Sequence, residues 1–293
     1  MSANPQADTS ILLRDDRDGI CTLTMNRPLQ MNLLTSQMLE ALQEAFEALS
    51  LDQKTRVIIL AATGKGFSAG HDLKEIRALK ELPKIEALFS QCSRMMQSIP
   101  QLPQPVIARV QGAAAAAGCQ LVAQCDLAIA ADTAKFVTSG VTWGFFCSTP
   151  GVAVGRNLQR KHALEMLLTG EPIDARRAME WGLVNQVVPA EKLDEATLTL
   201  AKKLAEKPPA TVAAGKRAFY QQMDMGLAKA YELAGGVISA SFAHKEGRDG
   251  MAAFIDKRPP PKHSAGGSRR CSLRQDDRRS TIARSSSSLV SSR

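Results

Sequence analysis

The 293-residue chain has no apolar run approaching the ~18–20 residues that cross a bilayer, which argues against a membrane span. Its opening stretch, MSANPQADTS, lacks the apolar core of a secretory signal and the arginines of an organelle transit peptide, so the expected location is cytoplasmic. Six cysteines (Cys21, Cys92, Cys119, Cys125, Cys147, Cys271) form no C-x-x-C pair. Nor do the four histidines (His71, His162, His244, His263) fall at metal-ligand spacing with them. That pattern speaks against a zinc site and against a disulfide framework, and no metal or resident cofactor is expected. Lysine is absent from residues 264–293, where seven arginines and two aspartates contribute +5 of the net +8. The other 263 residues carry only +3, so the basic character gives little support for nucleic-acid binding by the fold.

What is present reads as strands alternating with helices, followed by a helix-rich C-terminal part. ICTLTMN (20–26) alternates as a strand does, and RVIILAAT (56–63) and PVIARV (105–110) are short continuous apolar runs of the buried-strand kind. Residues 35–50 carry apolar residues at helical spacing behind Thr35 and Ser36, and helix is expected from about 72 to 99. Leu121 to Gln124 read as helix and CDLAIAAD (125–132) as a third buried strand. The Gly-, Ser- and Thr-rich stretch 133–160 reads as loops and short turns. Helical patterns then cover 161–168, 174–180, 190–206, 209–221, 225–242 and 246–255, with one strand at 183–188. The expected organisation is a leader (1–10), a core (11–190), a helical region (191–263) and a disordered Ser/Arg-rich tail (264–293). In that tail RRCS and RRS are possible kinase or RNA contacts, but ten serines in thirty residues favour a simple disordered extension.

Two places share one design: VIILAATGKGFSAGHDLKE (57–75) and PVIARVQGAAAAAGCQLVA (105–123) each run from a buried strand through a small-residue turn into a helix. The first N–H groups of a helix have no internal partner, and small residues leave them approachable. Two such turns converging on one oxygen would form an oxyanion hole, stabilising developing charge by roughly 2.7–4 kcal/mol per donor. Two alternatives stand beside this. Alanine runs also permit close helix–sheet packing with no further role, and Gly64, Gly66 and Ala69 loosely satisfy the dinucleotide fingerprint G-x-G-x-x-[G/A].

FSAGHDLKE, GAAAAAGCQLVAQCDLAIA, the PG of STPGV, TGEPIDARRAMEWGLVNQVV and FIDKRPP, in this order and spacing, resemble the enoyl-CoA hydratase/isomerase (crotonase) family over about residues 10–260. The resemblance implies an α/β fold, a crotonase-like spiral of ββα turns with a helical C-terminal trimerisation region, assembled as a homotrimer or dimer of trimers. It also implies an acyl-CoA thioester as substrate or ligand. Carried over by position, the oxyanion donors are the backbone N–H groups of His71 and Ala117. His71, Asp72, Leu73 and Lys74 line the acyl-CoA site, and Ala69 offers backbone contacts to the adenine and pantetheine part. Lys257 and Arg258 match a basic pair that reaches the CoA phosphates of a neighbouring subunit. The sequence departs from the family at the two acid–base glutamates, whose positions hold Gln120 and Gly140. An amide takes no proton near neutral pH and glycine has no side chain, so ordinary hydration is not expected. Cys119, Cys147, Asp126, Ser139 and Ser148 are weak substitutes, and the side chain of His71 is a stronger one. A non-catalytic acyl-CoA-binding or assembly subunit is the other reading.

Overall fold

Asp18 and Gly19, both at positive φ (52° and 76°), close a two-residue hairpin between β1 (Leu12–Arg17) and β2 (Ile20–Met25). Such turns match the twist of the strands they join, and Asp-Gly is their preferred pair. The computed structural model describes residues 10–261. The expected tail, all but the last residue of the expected leader, Cys271 and His263 lie outside that range. β1 was not among the expected strands because LLRDDR is mostly charged; it forms the exposed edge of the sheet.

Beyond β2 the chain repeatedly crosses over through helices. α1 (Ser36–Leu51) begins where the Thr35 hydroxyl accepts from Met38 N at 3.2 Å, and buries Met38, Leu39, Leu42, Phe46 and Leu49. β3 (Val57–Ala62) is buried at every residue. The helix expected at 72–99 is two helices, α2 (Leu73–Leu79) and α3 (Leu82–Gln101), because Lys80 adopts φ 54° between them. β4 (Val106–Val110), the two-residue β5 (Ala114–Ala115), α4 (Ala117–Gln124) and β6 (Leu127–Ala131) follow. α4 starts four residues before the expected Leu121, since its first turn is made of small residues that carry no apolar periodicity.

The stretch expected as loops contains β7 (Lys135–Val137) and α5 (Ser148–Asn157). Its glycines and proline suggested a loop, yet Pro150 falls in the first turn of α5, where its missing N–H costs nothing, and Ala153 and Val154 anchor the buried side. α6 (Arg160–Thr169), β8 (Ile173–Asp174), α7 (Ala175–Trp181) and β9 (Gln186–Val188) complete the alternating part, followed by α8 (Leu193–Ala205).

The larger sheet has the order β1-β2-β3-β4-β6-β9, parallel throughout except for the β1 edge. One face carries the main core of Leu23, Phe46, Leu60, Phe67 and Phe136; on the other, Ala201 of α8 packs with Ile20, Val57, Ile59 and Ile107. Coverage on both faces is the reason the parallel strands read as unbroken apolar runs. β5, β7 and β8 form a small second sheet next to the turn that precedes α4.

The last three helices, α9 (Pro209–Met223), α10 (Leu227–Ala243) and α11 (Lys245–Ile255), bury only Ala253 between them. α9 is tied to the rest by Lys216, which donates to the carbonyls of Ile99 and Gln104 and to Asp126. Among the described residues no helix is long and apolar enough to cross a membrane, and no group of His, Cys, Asp and Glu is arranged to hold a metal.

Candidate active site

The two small-residue turns meet. Ser68 and Ala114 form a parallel bridge, Ala115 N donates to Ser68 O at 2.8 Å, and Phe67 N and Ser68 N both donate to Ala113 O. Further along the first turn, Ala69 N donates to Met31 O and Gly70 N to Ser68 Oγ. His71 N–H is the first in that run with no acceptor among the described residues. The second turn shows the same progression: Ala115 N and Ala116 N are used, by Ser68 O and Val137 O, and Ala117 N–H, first residue of α4, has no partner.

Gly70 lies where the turns touch. Its φ is +86°, and a Cβ there would stand 2.9 Å from Ala115 O and 3.0 Å from Ala117 N. A larger side chain would therefore fill the approach to the Ala117 amide. Gly118 has a packing reason instead: a Cβ on it would fall 2.2 Å from Ser68 O, so glycine lets α4 start hard against the first turn. Ala116, between them, holds φ 47° and ψ −115°, a region that non-glycine residues avoid. The alanine run thus serves close packing and leaves one N–H bare.

The dinucleotide-like stretch has its last three amides already engaged. The N–H groups of Phe67, Ser68 and Ala69 all have protein acceptors, and Gln111 Nε2 bridges the carbonyls of Ala62, Gly64 and Gly66. Asn32, fully buried, braces the same loop through Thr63 O and Gly66 O while its own carbonyl accepts from Ser68 Oγ. Asn32 and Gln111 were missed in the sequence because single amides outside any motif give no signal.

The side chains around the turns divide by task. His71 Nδ1 contacts Leu34 O at 3.1 Å and, since a carbonyl only accepts, this nitrogen carries the proton. Nε2 is then left as the lone-pair nitrogen, and it is buried without a hydrogen-bond partner among the described residues. The ring meets the Phe89 ring edge-on at 5.0 Å. Burial lowers the imidazole pKa, against the opposing pull of the Leu34 carbonyl and Glu75. Asp72 caps α2 by accepting from Lys74 N at 2.8 Å, while the Leu73 and Lys74 side chains are exposed and Ala69 is half-buried.

At the two positions expected to depart from the family pattern, Gln120 is 4% exposed with Oε1 unpartnered, and Gly140 is packed shut. A Cβ on Gly140 would lie 2.6 Å from Phe145 O and 2.8 Å from Cys147 Sγ, and Gly140 N donates to that sulfur at 3.3 Å. Burial raises the Cys147 thiol and pushes Cys119 up to about 12, so both are held protonated. Asp126 is committed elsewhere, accepting from Val106 N, Lys216 and Tyr220. Lys257 and Arg258 lie just past α11; Arg258 pairs with Asp256 at 2.9 Å, and neither is brought to the turns within the chain by a hydrogen bond or ion pair.

This fold and these turns have close parallels. The sequence matches the enoyl-CoA hydratase/isomerase family profile over residues 15–264. It is 45% identical over 252 residues to the mitochondrial enoyl-CoA hydratase domain-containing protein 3 of Xenopus laevis, covering 86% of each chain. Against the Homo sapiens protein of that name it is 44% identical over 243 residues, covering 83% of this chain and 80% of the relative. A crystal structure of enoyl-CoA hydratase from Mycobacterium smegmatis superposes with a TM-score of 0.85 at 48% identity, over 87% of this chain and all 100% of that one. The human enoyl coenzyme A hydratase domain-containing protein 3 gives 0.83 at 42% identity, over 86% and 100%.

The chain belongs to the enoyl-CoA hydratase/isomerase family and has its mixed α/β crotonase fold. The cytoplasmic expectation is overturned, because the relatives from Xenopus, rat and human are all named mitochondrial. It rested on the composition of ten residues, too short a stretch to separate compartments.

Proposed function

We propose that the protein binds acyl-CoA thioesters and polarises the thioester carbonyl between the N–H groups of His71 and Ala117. The observation that carries this is that these are the first unpaired amides of two turns bonded directly to each other, with Gly70 keeping the approach clear. Two fixed donors favour the oxygen as it gains charge, and main-chain groups held by a hydrogen-bonded scaffold need no reorganisation when that happens. Ordinary hydration is not the reaction in this reading, since neither Gln120 nor Gly140 supplies an acid or base.

In the same reading His71, Asp72, Leu73 and Lys74 border the ligand, Ala69 contributes backbone contacts, and Lys257 and Arg258 meet the CoA phosphates of a neighbouring copy. A homotrimer or dimer of trimers is supported by the exposed Phe219, Tyr231, Phe242 and Phe254 on and around the last three helices. The mitochondrial setting named for the relatives suits a protein of acyl-CoA metabolism. Calorimetry with acyl-CoAs of graded chain length, paired with a turnover screen that includes crotonyl-CoA, tests the reading. Binding with no hydration is expected; absence of binding, or crotonyl-CoA hydration at a rate ordinary for the family, sinks it.

A second reading, a binding or assembly subunit with no turnover, is favoured by the packing of Phe145 and Cys147 into the space beside Gly140. Binding without any reaction in the screen selects it.

A further inference from the structure

Independently of the thioester reading, the geometry points to a second ligand site at the opposite end of the sheet. It is the cavity between α9–α10 and the loops that enter β3 and β4, with the guanidinium of Arg56 as receptor for the carboxylate of a fatty-acid anion. β3 and β4 run parallel, and the two small-residue turns leave from their C-terminal ends. Arg56 immediately precedes β3 and Gln104 lies just before β4, so the cavity they line is at the other end. Its volume is about 1440 Å³, above the ~300–1,000 Å³ usual for a small-molecule site.

Arg56 gives the cavity its chemistry. The residue is 9% exposed, yet the one acceptor its guanidinium meets among the described residues is the Lys207 carbonyl, 3.1 Å from Nη2. Buried charges are as a rule paired and fully hydrogen-bonded. Burial lowers the Arg56 pKa, and Glu246, the carboxylate that opposes this, forms no ion pair with it among the described residues. Arginine stays charged even so, and its planar fork matches a carboxylate. Of the other charged groups lining the cavity, Asp52 is already engaged by Lys54 N, Thr55 Oγ1 and Arg14. Lys207, Arg217 and Lys229 then stand against Glu232, so the balance is positive. His244 is turned to the start of α11, where its Nδ1 accepts from Glu246 N. Leu204, Val212, Leu233 and Val237, each half-buried, supply the apolar wall that an aliphatic chain requires. Gly236 keeps the α10 side of the cavity wide, since a Cβ there would meet nothing within 4 Å.

Calorimetry on the full chain, in the oligomeric state it adopts in solution, compares decanoate with decanol, which keeps the chain and lacks the charge. Acetate, which keeps the charge and lacks the chain, is the third probe. Decanoate is expected to bind, with decanol and acetate each weaker by about tenfold or more. Arg56→Met keeps an apolar stem and drops the charge. It should lower decanoate affinity by about tenfold or more and leave decanol unmoved, a split that a purely structural role for Arg56 would not produce. Gly236→Phe fills the cavity from α10 without touching Arg56, and it carries the test if Arg56→Met fails to fold; decanoate binding should be lost. Glu246→Gln, which removes the opposing charge, is expected to tighten binding a few-fold, and weaker binding there would assign Arg56 to Glu246 and overturn the inference. Decanoate and decanol binding alike, or decanoate affinity unchanged in Arg56→Met or in Gly236→Phe, overturns it as well. So does absence of decanoate binding to the assembled protein, the outcome expected where a second copy fills the cavity.

Discussion

Lys216 Nζ and Asp126 Oδ2, 90 residues apart in sequence, meet at 2.6 Å with their side chains 7% and 13% exposed. Tyr220 Oη donates to the other carboxylate oxygen at 2.8 Å, so α9 is fastened to the core by two side chains one helical turn apart. Burial alone would lower the lysine pKa, and Asp126 pulls it back toward the charged form. Removing one partner of a buried pair leaves the other uncompensated, at a cost of about 3–5 kcal/mol. Lys216→Met is expected to lose stability on that scale in urea unfolding and to expose the α8–α9 junction to limited proteolysis. An unchanged midpoint would mean that α9 is held by other contacts.

Gly70 gives a sharper test of the site. Gly70→Ala places a non-glycine residue at φ +86°, at about 1–3 kcal/mol of strain, and sets a methyl against the Ala117 amide. Loss of that donor would weaken any polarised state by a further 2.7–4 kcal/mol or so. Acyl-CoA affinity should fall much further than the melting temperature does. Equal, modest losses in both would assign Gly70 a purely structural role.

On the proposed reading, carboxylates placed at positions 120 and 140 should not confer hydration. Gln120→Glu replaces one amide by its isosteric acid, but Gly140→Glu drives a Cβ to 2.6 Å from Phe145 O and 2.8 Å from Cys147 Sγ. Overpacking of this kind costs about 1–3 kcal/mol. The double variant is expected to be less stable and inactive in a crotonyl-CoA hydration assay. Measurable hydration would show that the loop of Phe145 and Cys147 yields.

Acid should weaken the fold partly through His71. Burial holds its folded pKa below the ordinary 6.5, so between the two values the unfolded chain binds more protons. The contribution is fully present above 6.5 and is lost as the pH drops through the folded value. Thermal melts of wild type and His71→Asn from neutrality downward should converge as the pH drops, if the variant begins less stable. Curves that stay parallel would place the acid sensitivity elsewhere.

Much of this was legible in the sequence because apolar runs such as VIILAA carry their own periodicity, and Thr35 announces α1. The two turns were also legible, since few architectures call for five alanines between glycines. The features that escaped lacked either pattern. β1 is charged, the start of α4 is alanine and glycine, and α5 begins in a serine–proline–glycine stretch that packing makes helical. The closure around Gly140 escaped for another reason. A glycine shows that a side chain is missing, and only the position of Phe145 and Cys147 shows that its room has been taken.

The Ser68–Ala114 bridge has a consequence for how such a protein diverges. If peptide groups are the donors, as proposed, with one turn stitched to the other, the grip on a carbonyl is encoded by backbone shape. Substitution at positions 120 and 140 would leave that grip untouched. On that reading a lineage could surrender its original reaction and still inherit a ready-made receptor for the same class of molecule.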